Sequence, residues 1–286
     1  MSHSVVVGVD GSAQSAAAAE WAAAQAHRSG RALRMVHAGG AVAALPEEPG
    51  SRAEPLPEAV RALHGHLAAA LPDLEISCEH VPGNPAHQLI AAGEREGLLV
   101  LGSRGLGGFT GLLVGSIGLR AAAHAACPVV LVRAGADGEG GAPGDVVVGV
   151  DGGGPCDEML AFAFEQASGR GATLRVMNSR TLPAGPYVTE APVDQREIRD
   201  SLTAAELLRL QDALMPWREK FPDVRVQAEV TAWPAARALV EASRTASLVV
   251  VGRRTPRNRA TGSWLGTVAH AVLHHAHSPV AVVPHD

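Results

Sequence analysis

Lysine is almost missing from this chain of 286 residues: Lys220 is the only one among 24 lysines and arginines. A Walker-type phosphate loop needs a lysine directly after its glycines, and Lys220 sits in Trp217-Arg-Glu-Lys-Phe221, far from any glycine. Ordinary P-loop NTPases are thereby excluded, and lysine Schiff-base chemistry has one poor candidate. Cysteine is nearly as scarce. Cys78, Cys127 and Cys156 stand singly, without the spacing of a disulfide framework or a zinc knuckle, and read as small buried hydrophobes. A positive surplus is absent too. Net charge is -5, and basic against acidic residues number 9 to 13 before Gly141 and 15 to 16 after it, so no nucleic-acid partner is expected. Hydrophobic residues reach 47%, yet no apolar run approaches a membrane span, and the start has no basic stretch leading into an apolar one. The expectation is a cytoplasmic protein that does not engage a membrane.

Two domains are expected from the length, and the chain repeats itself accordingly. Val5-Val-Val-Gly-Val-Asp10-Gly11 recurs as Val146-Val-Val-Gly-Val-Asp151-Gly152, 141 residues on, and His124-Ala-Ala-Cys-Pro128 recurs as His275-Ala-His-Ser-Pro279, 151 residues on. The ten extra residues of the second copy are assigned to a loop from Thr181 to Thr203, whose prolines and polar residues read as irregular. Repeats of this length are whole domains. Their joint, Ala134 to Gly144, is a flexible linker by composition, giving domains over 1–135 and 145–286.

Each copy alternates β-branched runs with alanine-rich stretches. In the first, strands are expected near 4–10, 33–38, 75–81, 98–102 and 128–133, with helices between them. Ser12 is placed to cap the first helix and Gly30 to close it. Runs such as Leu98-Leu-Val-Leu101 are apolar throughout, which suits strands covered on both faces. The predicted class is therefore α/β: two tandem Rossmann-like domains, each a five-stranded parallel sheet with helices on both faces. Ligands of such sheets bind beyond the carboxyl ends of the strands, where the winding reverses. A reversal after three strands would place Asp10, ending strand one, beside Gly102, ending strand four.

After Gly102 the chain runs Ser103-Arg104-Gly105-Leu-Gly107-Gly108-Phe-Thr-Gly111-Leu-Leu-Val-Gly115-Ser116 into a helix. Glycines let several backbone N–H groups converge on phosphate oxygens, and a helix start favours an anion. The segment reads as a phosphate cradle without lysine. Glycine richness is equally a property of surface loops, so the residues alone leave both readings open. The dinucleotide fingerprint fails: Asp10-Gly11-Ser12 follows the first strand where the glycines belong, and Thr110 replaces the last glycine.

Gly102, Gly105, Gly115 and Ser116 match, without a gap, the pattern Gly, two residues, Gly, nine residues, Gly, Ser or Thr, and it comes with Val-Gly-Val-Asp10, Gly83-Asn-Pro85 and His124-Ala-Ala-Cys-Pro128-Val-Val. In these motifs the first half resembles a universal stress protein domain of the ATP-binding kind, and the whole chain resembles a tandem universal stress protein. The resemblance implies an adenine nucleotide, ATP with Mg²⁺ where the metal is needed. Gly8, Val9 and Asp10 would line the adenine and ribose side, and the Ala38 backbone would meet the adenine. Gly102, Ser103, Arg104 and Gly105 would hold ribose and first phosphates, with Gly115, Ser116 and Ile117 on the outer phosphates. On its own chemistry Asp10 can accept from a ribose or adenine donor or hold Mg²⁺ through water, or it can simply cap the first helix. The resemblance further implies that the last strands, Pro128 to Val132 and Pro279 to Val283, pair the two domains with each other, and that chains associate as homo-oligomers.

The second half departs from the pattern. Thr255 replaces the second glycine, Pro256 follows it, and one residue is added before Gly266-Thr267. Proline removes a donor and stiffens the loop. Arg253, Arg254, Arg257 and Arg259 could grip phosphate instead, or form a solvated basic loop on a degenerate domain. Asp151, Gly252, Gly266 and Thr267 are the candidate residues of a second nucleotide site. His270 and His274 share a helix face at i, i+4, with His275 and His277 close by, but no Cys or acidic third ligand is near and no metal is expected. Gly-x-Ser-x-Gly is absent, and no residue is an evident catalytic base. The expected function is an ATP-binding, nucleotide-linked regulator of the stress response and not an enzyme. A slow ATP-hydrolysing enzyme and a ligand-free interaction module are the alternatives.

Overall fold

A computed structural model describes residues 4–40, 56–103, 114–133, 144–151, 157–179, 195–255 and 265–286. The first copy runs β1 (Val5–Gly8), α1 (Ala13–Ser29), β2 (Leu33–Gly39), α2 (Glu58–Ala70), β3 (Ile76–Pro82), α3 (Pro85–Glu96), β4 (Leu99–Gly102), α4 (Ser116–His124) and β5 (Val129–Val132). The second runs β6 (Asp145–Val150), α5 (Asp157–Arg170), β7 (Leu174–Ser179), α6 (Gln195–Lys220), β8 (Val226–Thr231), α7 (Ala235–Ala242), β9 (Ala246–Arg254), α8 (Thr267–His275) and β10 (Val280–His285). Strand positions follow the β-branched runs to within a residue or two at most ends.

The caps act where the residue types place them. Ser12 Oγ accepts from the Ser15 N–H at 3.1 Å, and Gly30 adopts the left-handed conformation at φ 62° that a side chain would resist. Asn84 caps α3 the same way, with Pro85 at its first position. One boundary differs from the sequence reading. Residues 195–203 belong to α6 and not to an irregular loop, because the last proline of that stretch is Pro192 and Gln195-Arg-Glu-Ile198 is a run of adequate helix formers. Residues 181–194, where the rest of the insertion falls, lie outside the described residues.

Ten strands form one sheet in the order β3-β2-β1-β4-β5-β10-β9-β6-β7-β8. Every pairing is parallel except β5 with β10, which is antiparallel with Ala281 opposite Val130. Each copy thus has the order 3-2-1-4-5 and reverses its winding between strands one and four, as expected. The two last strands close on each other, so neither leaves its apolar edge to solvent.

Side chains alternate across the sheet. Val5 and Val7 face α1, α2, α5 and α6 in one cluster; Val6, Leu99 and Leu101 face α3, α4, α7 and α8 in the other. Each cluster runs through both copies. Phe162 and Phe164 on α5 are buried, and Trp21 on α1 packs partly against the same cluster, as their positions suggest. Cys127 is buried within the second cluster, and desolvation, with Glu94 close by, pushes its thiol up to about 12, which leaves it a packing residue.

Because the central pair is antiparallel, the carboxyl ends of the two parallel sets point to opposite margins of the sheet. Each copy therefore has its own crevice.

Candidate functional site

In the first copy, Val9 is buried and its N–H continues the ladder to Val36 O at 2.9 Å. The chain then turns through Asp10-Gly11-Ser12. Asp10 Oδ1 accepts from the Ser12 N–H at 3.0 Å, while Ser15 Oγ accepts from the Asp10 N–H at 3.3 Å. Gly11, at φ 85°, makes the turn possible. The helix cap is Ser12, so Asp10 is held at the turn ahead of the helix, its carboxylate oriented by a backbone donor.

Gly102 closes the other side. A Cβ built on it would stand 2.8 Å from the Gln14 carbonyl carbon and oxygen and 3.0 Å from the Ser15 nitrogen, so the end of β4 rests directly on the first turn of α1. Beyond it, buried Ser103 donates its N–H to Val132 O at 2.7 Å and accepts from the Gly115 N–H at 2.6 Å. That second bond ties together the two ends of the glycine-rich segment, whose residues 104–113, with Arg104 and Gly105, lie outside the described residues. It also engages the Gly115 N–H.

The donors that remain are those of α4. Gly115 is its N-cap, and the first intrahelical bond runs from Leu119 N to Gly115 O at 3.0 Å, so the N–H groups of Ser116, Ile117 and Gly118 precede the helical ladder. No acidic residue stands in that first turn. Ser116 and Ile117 are both exposed. On the β2 side, Ala38 is half-buried beside His37, whose Nδ1 bonds Val9 O at 2.8 Å and whose ring lies 5.5 Å from that of His80. The chemistry assembled is a fixed carboxylate, exposed backbone donors at a helix start, and no ammonium group.

The second copy builds its crevice differently. A cavity of about 290 Å³ is lined by Asp151, Gly252 and Gly266 together with Met159, Met177, Asn178 and Leu239. Where β4 ends at Gly102, β9 continues for two residues, pairing Arg253 with Pro284 and Arg254 with His285, and the Thr255 N–H is taken by His285 O at 2.6 Å. Arg254 pairs with Asp151 at 2.8 Å. Arg253 is buried and turned away from the crevice, its guanidinium donating to Ala125 O at the end of α4. The reading of Arg253 as a phosphate ligand is corrected on this point: its neighbour across the halves is a carbonyl that needs a donor. Arg257 and Arg259 lie outside the described residues. Gly266 caps α8 and Thr267 begins it, as Gly115 and Ser116 do for α4.

The sequence model of the universal stress protein family matches this chain twice, over residues 1–133 and 144–284. The chain belongs to that family. Among its relatives, Universal stress protein Rv2005c of Mycobacterium tuberculosis (strain ATCC 25618 / H37Rv) is 35% identical over 295 residues, spanning 98% of this chain and 96% of the relative. A universal stress protein of Mycolicibacterium smegmatis is 29% identical over 296 residues, with 98% and 97% covered. Among solved structures, a universal stress protein from Archaeoglobus fulgidus DSM 4304 has a TM-score of 0.62 at 15% identity, covering 99% of both chains. Protein PA1789 from Pseudomonas aeruginosa PAO1, of unknown function, has a TM-score of 0.64 at 16% identity, covering 99% of this chain and 93% of its own. These two likenesses are likenesses of fold.

For this universal stress protein, the motif residues of the first half fall at three places near the carboxyl ends of neighbouring strands: Gly8, Val9 and Asp10 at the end of β1, Gly102 and Ser103 at the end of β4, and Gly115, Ser116 and Ile117 at the start of α4. Ala38 lies one strand further out. Sequence reasoning missed Ser15, which holds the Asp10 N–H, and Gln14, against which Gly102 packs. The single sequence signal for them was their place within one helical turn of the Ser12 cap. Met177 and Asn178 of the second crevice were also missed, although the 141-residue repeat maps Asn178 onto His37.

Proposed function

We propose that the first half of this universal stress protein binds ATP at the carboxyl ends of β1 and β4, and that the bound nucleotide makes the protein a regulator and not an enzyme. The observation that carries this is the pairing of Ser103 with Gly115. It brings the end of β4 and the start of α4 to one hydrogen bond, so a phosphate chain laid there meets the free N–H groups of Ser116, Ile117 and Gly118 and the positive end of the helix. Asp10, oriented by the Ser12 N–H at the end of the neighbouring strand, is the acceptor for a ribose or adenine donor. Among the described residues no group of three metal-ligating side chains exists, so Mg²⁺ would arrive on the phosphates, with Asp10 the carboxylate able to reach it through water.

Equilibrium dialysis with labelled ATP tests the reading. Wild type should bind one ATP per chain. Asp10→Ala should weaken it by tenfold or more, in line with about 1.5–3 kcal/mol for a hydrogen bond to a charged group. Gly105→Val should abolish it. No binding by wild type, or binding indifferent to both changes, overturns the proposal. ATP turnover by the purified protein that is lost in Ser116→Ala would instead favour the hydrolytic alternative.

A further inference from the structure

We propose that the crevice of the second half is a separate site for a neutral aromatic molecule of about the size of indole, and not for a nucleoside polyphosphate. The start of α8 keeps its leading N–H groups as α4 does, but the strand-end features of the first half have another engagement here. The chain after Gly252 is held in the sheet for two further residues, the next N–H bonds His285 O, and the guanidinium of Arg253 is turned into the first half. Asp151, the counterpart of Asp10, is ion-paired with Arg254. A polyphosphate would meet a carboxylate already matched by one cation and a strand end whose Thr255 N–H is already bonded.

The cavity itself has the opposite character. Its wall is Met159, Met177, Leu239, Val251 and Val268, with Met159 and His285 packed against Gly252 at the floor. Thioethers are polarizable and adapt to flat rings, and such apolar walls with a few placed polar groups are what small-molecule sites present. The polar lining comprises the Asp151–Arg254 ion pair with Asn178, Ser179, Thr231 and His285. Ser179 donates its hydroxyl to Trp233 O at 2.6 Å. Buried Asn178 donates its amide to Glu206 at 3.0 Å. Volume sets the size. An engineered apolar cavity of about 150 Å³ takes benzene, so roughly twice that space suits a bicyclic ring.

Isothermal titration of the full chain with indole, with and without saturating ATP, tests this. One indole should bind per chain with a sub-millimolar dissociation constant that ATP leaves unchanged. Ala238→Phe, on the lining face of α7, should fill the cavity and weaken indole at least tenfold while ATP binding stays at the wild-type level. If that variant loses its far-UV circular dichroism, Ala235→Leu on the same wall decides the matter by the same criterion. Absence of indole binding, its displacement by ATP, or wild-type affinity in the folded variant would overturn the assignment. Indole binding retained in a protein that fails to bind ATP would sink the nucleotide reading of the first half and leave this one standing.

Discussion

Gly102 and Gly252 occupy matching places in the two copies, and their neighbours explain why the copies diverge. Gly102 is pressed against main chain, the Gln14 carbonyl and the Ser15 nitrogen, which cannot swing aside; Gly252 is pressed against the far ends of Met159 and His285, which can. Gly102→Ala is therefore expected to lower stability by about 1–3 kcal/mol, the range for an overpacked site, and to lift β4 from the Asp10 turn so that ATP affinity falls with it. Gly252→Ala should have the smaller effect on stability. Urea unfolding of the two variants side by side checks the difference, and an equal loss in both would refute this account of the contact.

At the scale of elements, most of the architecture is legible in the amino-acid pattern. Apolar runs without alternation mark strands covered on both faces, and Ser12, Gly30, Asn84 and Pro85 mark helix ends, because these signals are local and need no partner. What stays hidden depends on partners. Nothing in Gly115-Ser116 tells that the glycine's N–H is engaged by Ser103, and nothing in Gly252-Arg-Arg254 tells that the strand runs on, since its reason is the longer β10 beside it. Arg253 reads as a surface cation for the same cause: its acceptor lies 128 residues away. Helix α8 carries a pH dependence that the sequence also conceals. The spacing of His270 and His274 puts them on one face, and their rings do meet at 4.5 Å, but His274 Nε2 is buried without a hydrogen-bond partner among the described residues. Desolvation first, then His270, His275 and Arg133, lower its pKa from the ordinary 6.5. The unfolded chain thus binds that proton more readily than the folded one, so this contribution is intact above about pH 6.5 and is lost as pH falls through the lower folded value. His274→Gln should flatten the fall in urea midpoint between pH 8 and pH 5.5 relative to wild type. A slope unchanged by the substitution would assign the acid sensitivity to other groups.

At the scale of the whole molecule, the two halves are joined by more than the β5–β10 ladder. Arg133, just after β5, donates to Leu273 O and His274 O at the end of α8, and Arg253 in β9 donates to Ala125 O at the end of α4. Each half therefore holds the carboxyl end of a helix whose amino end borders the other half's crevice, and cations there also suit the helix dipole. Helix α4, nine residues and so about 13 Å long, connects the proposed phosphate contacts at Ser116 to Arg253 of β9. A ligand that fixes the first turn of α4 selects the conformations in which its last turn is also formed, and so steadies the carbonyl that Arg253 grips. Saturating ATP should accordingly slow amide exchange in β9 as well as in α4. In Arg253→Ala the slowing should remain in α4 and vanish from β9, with ATP affinity within about twofold of wild type, because linkage through a single hydrogen bond is modest and reciprocal. Slowing in β9 that survives the loss of Arg253 would show that the halves communicate through the shared sheet, leaving the arginine to hold the interface and nothing more.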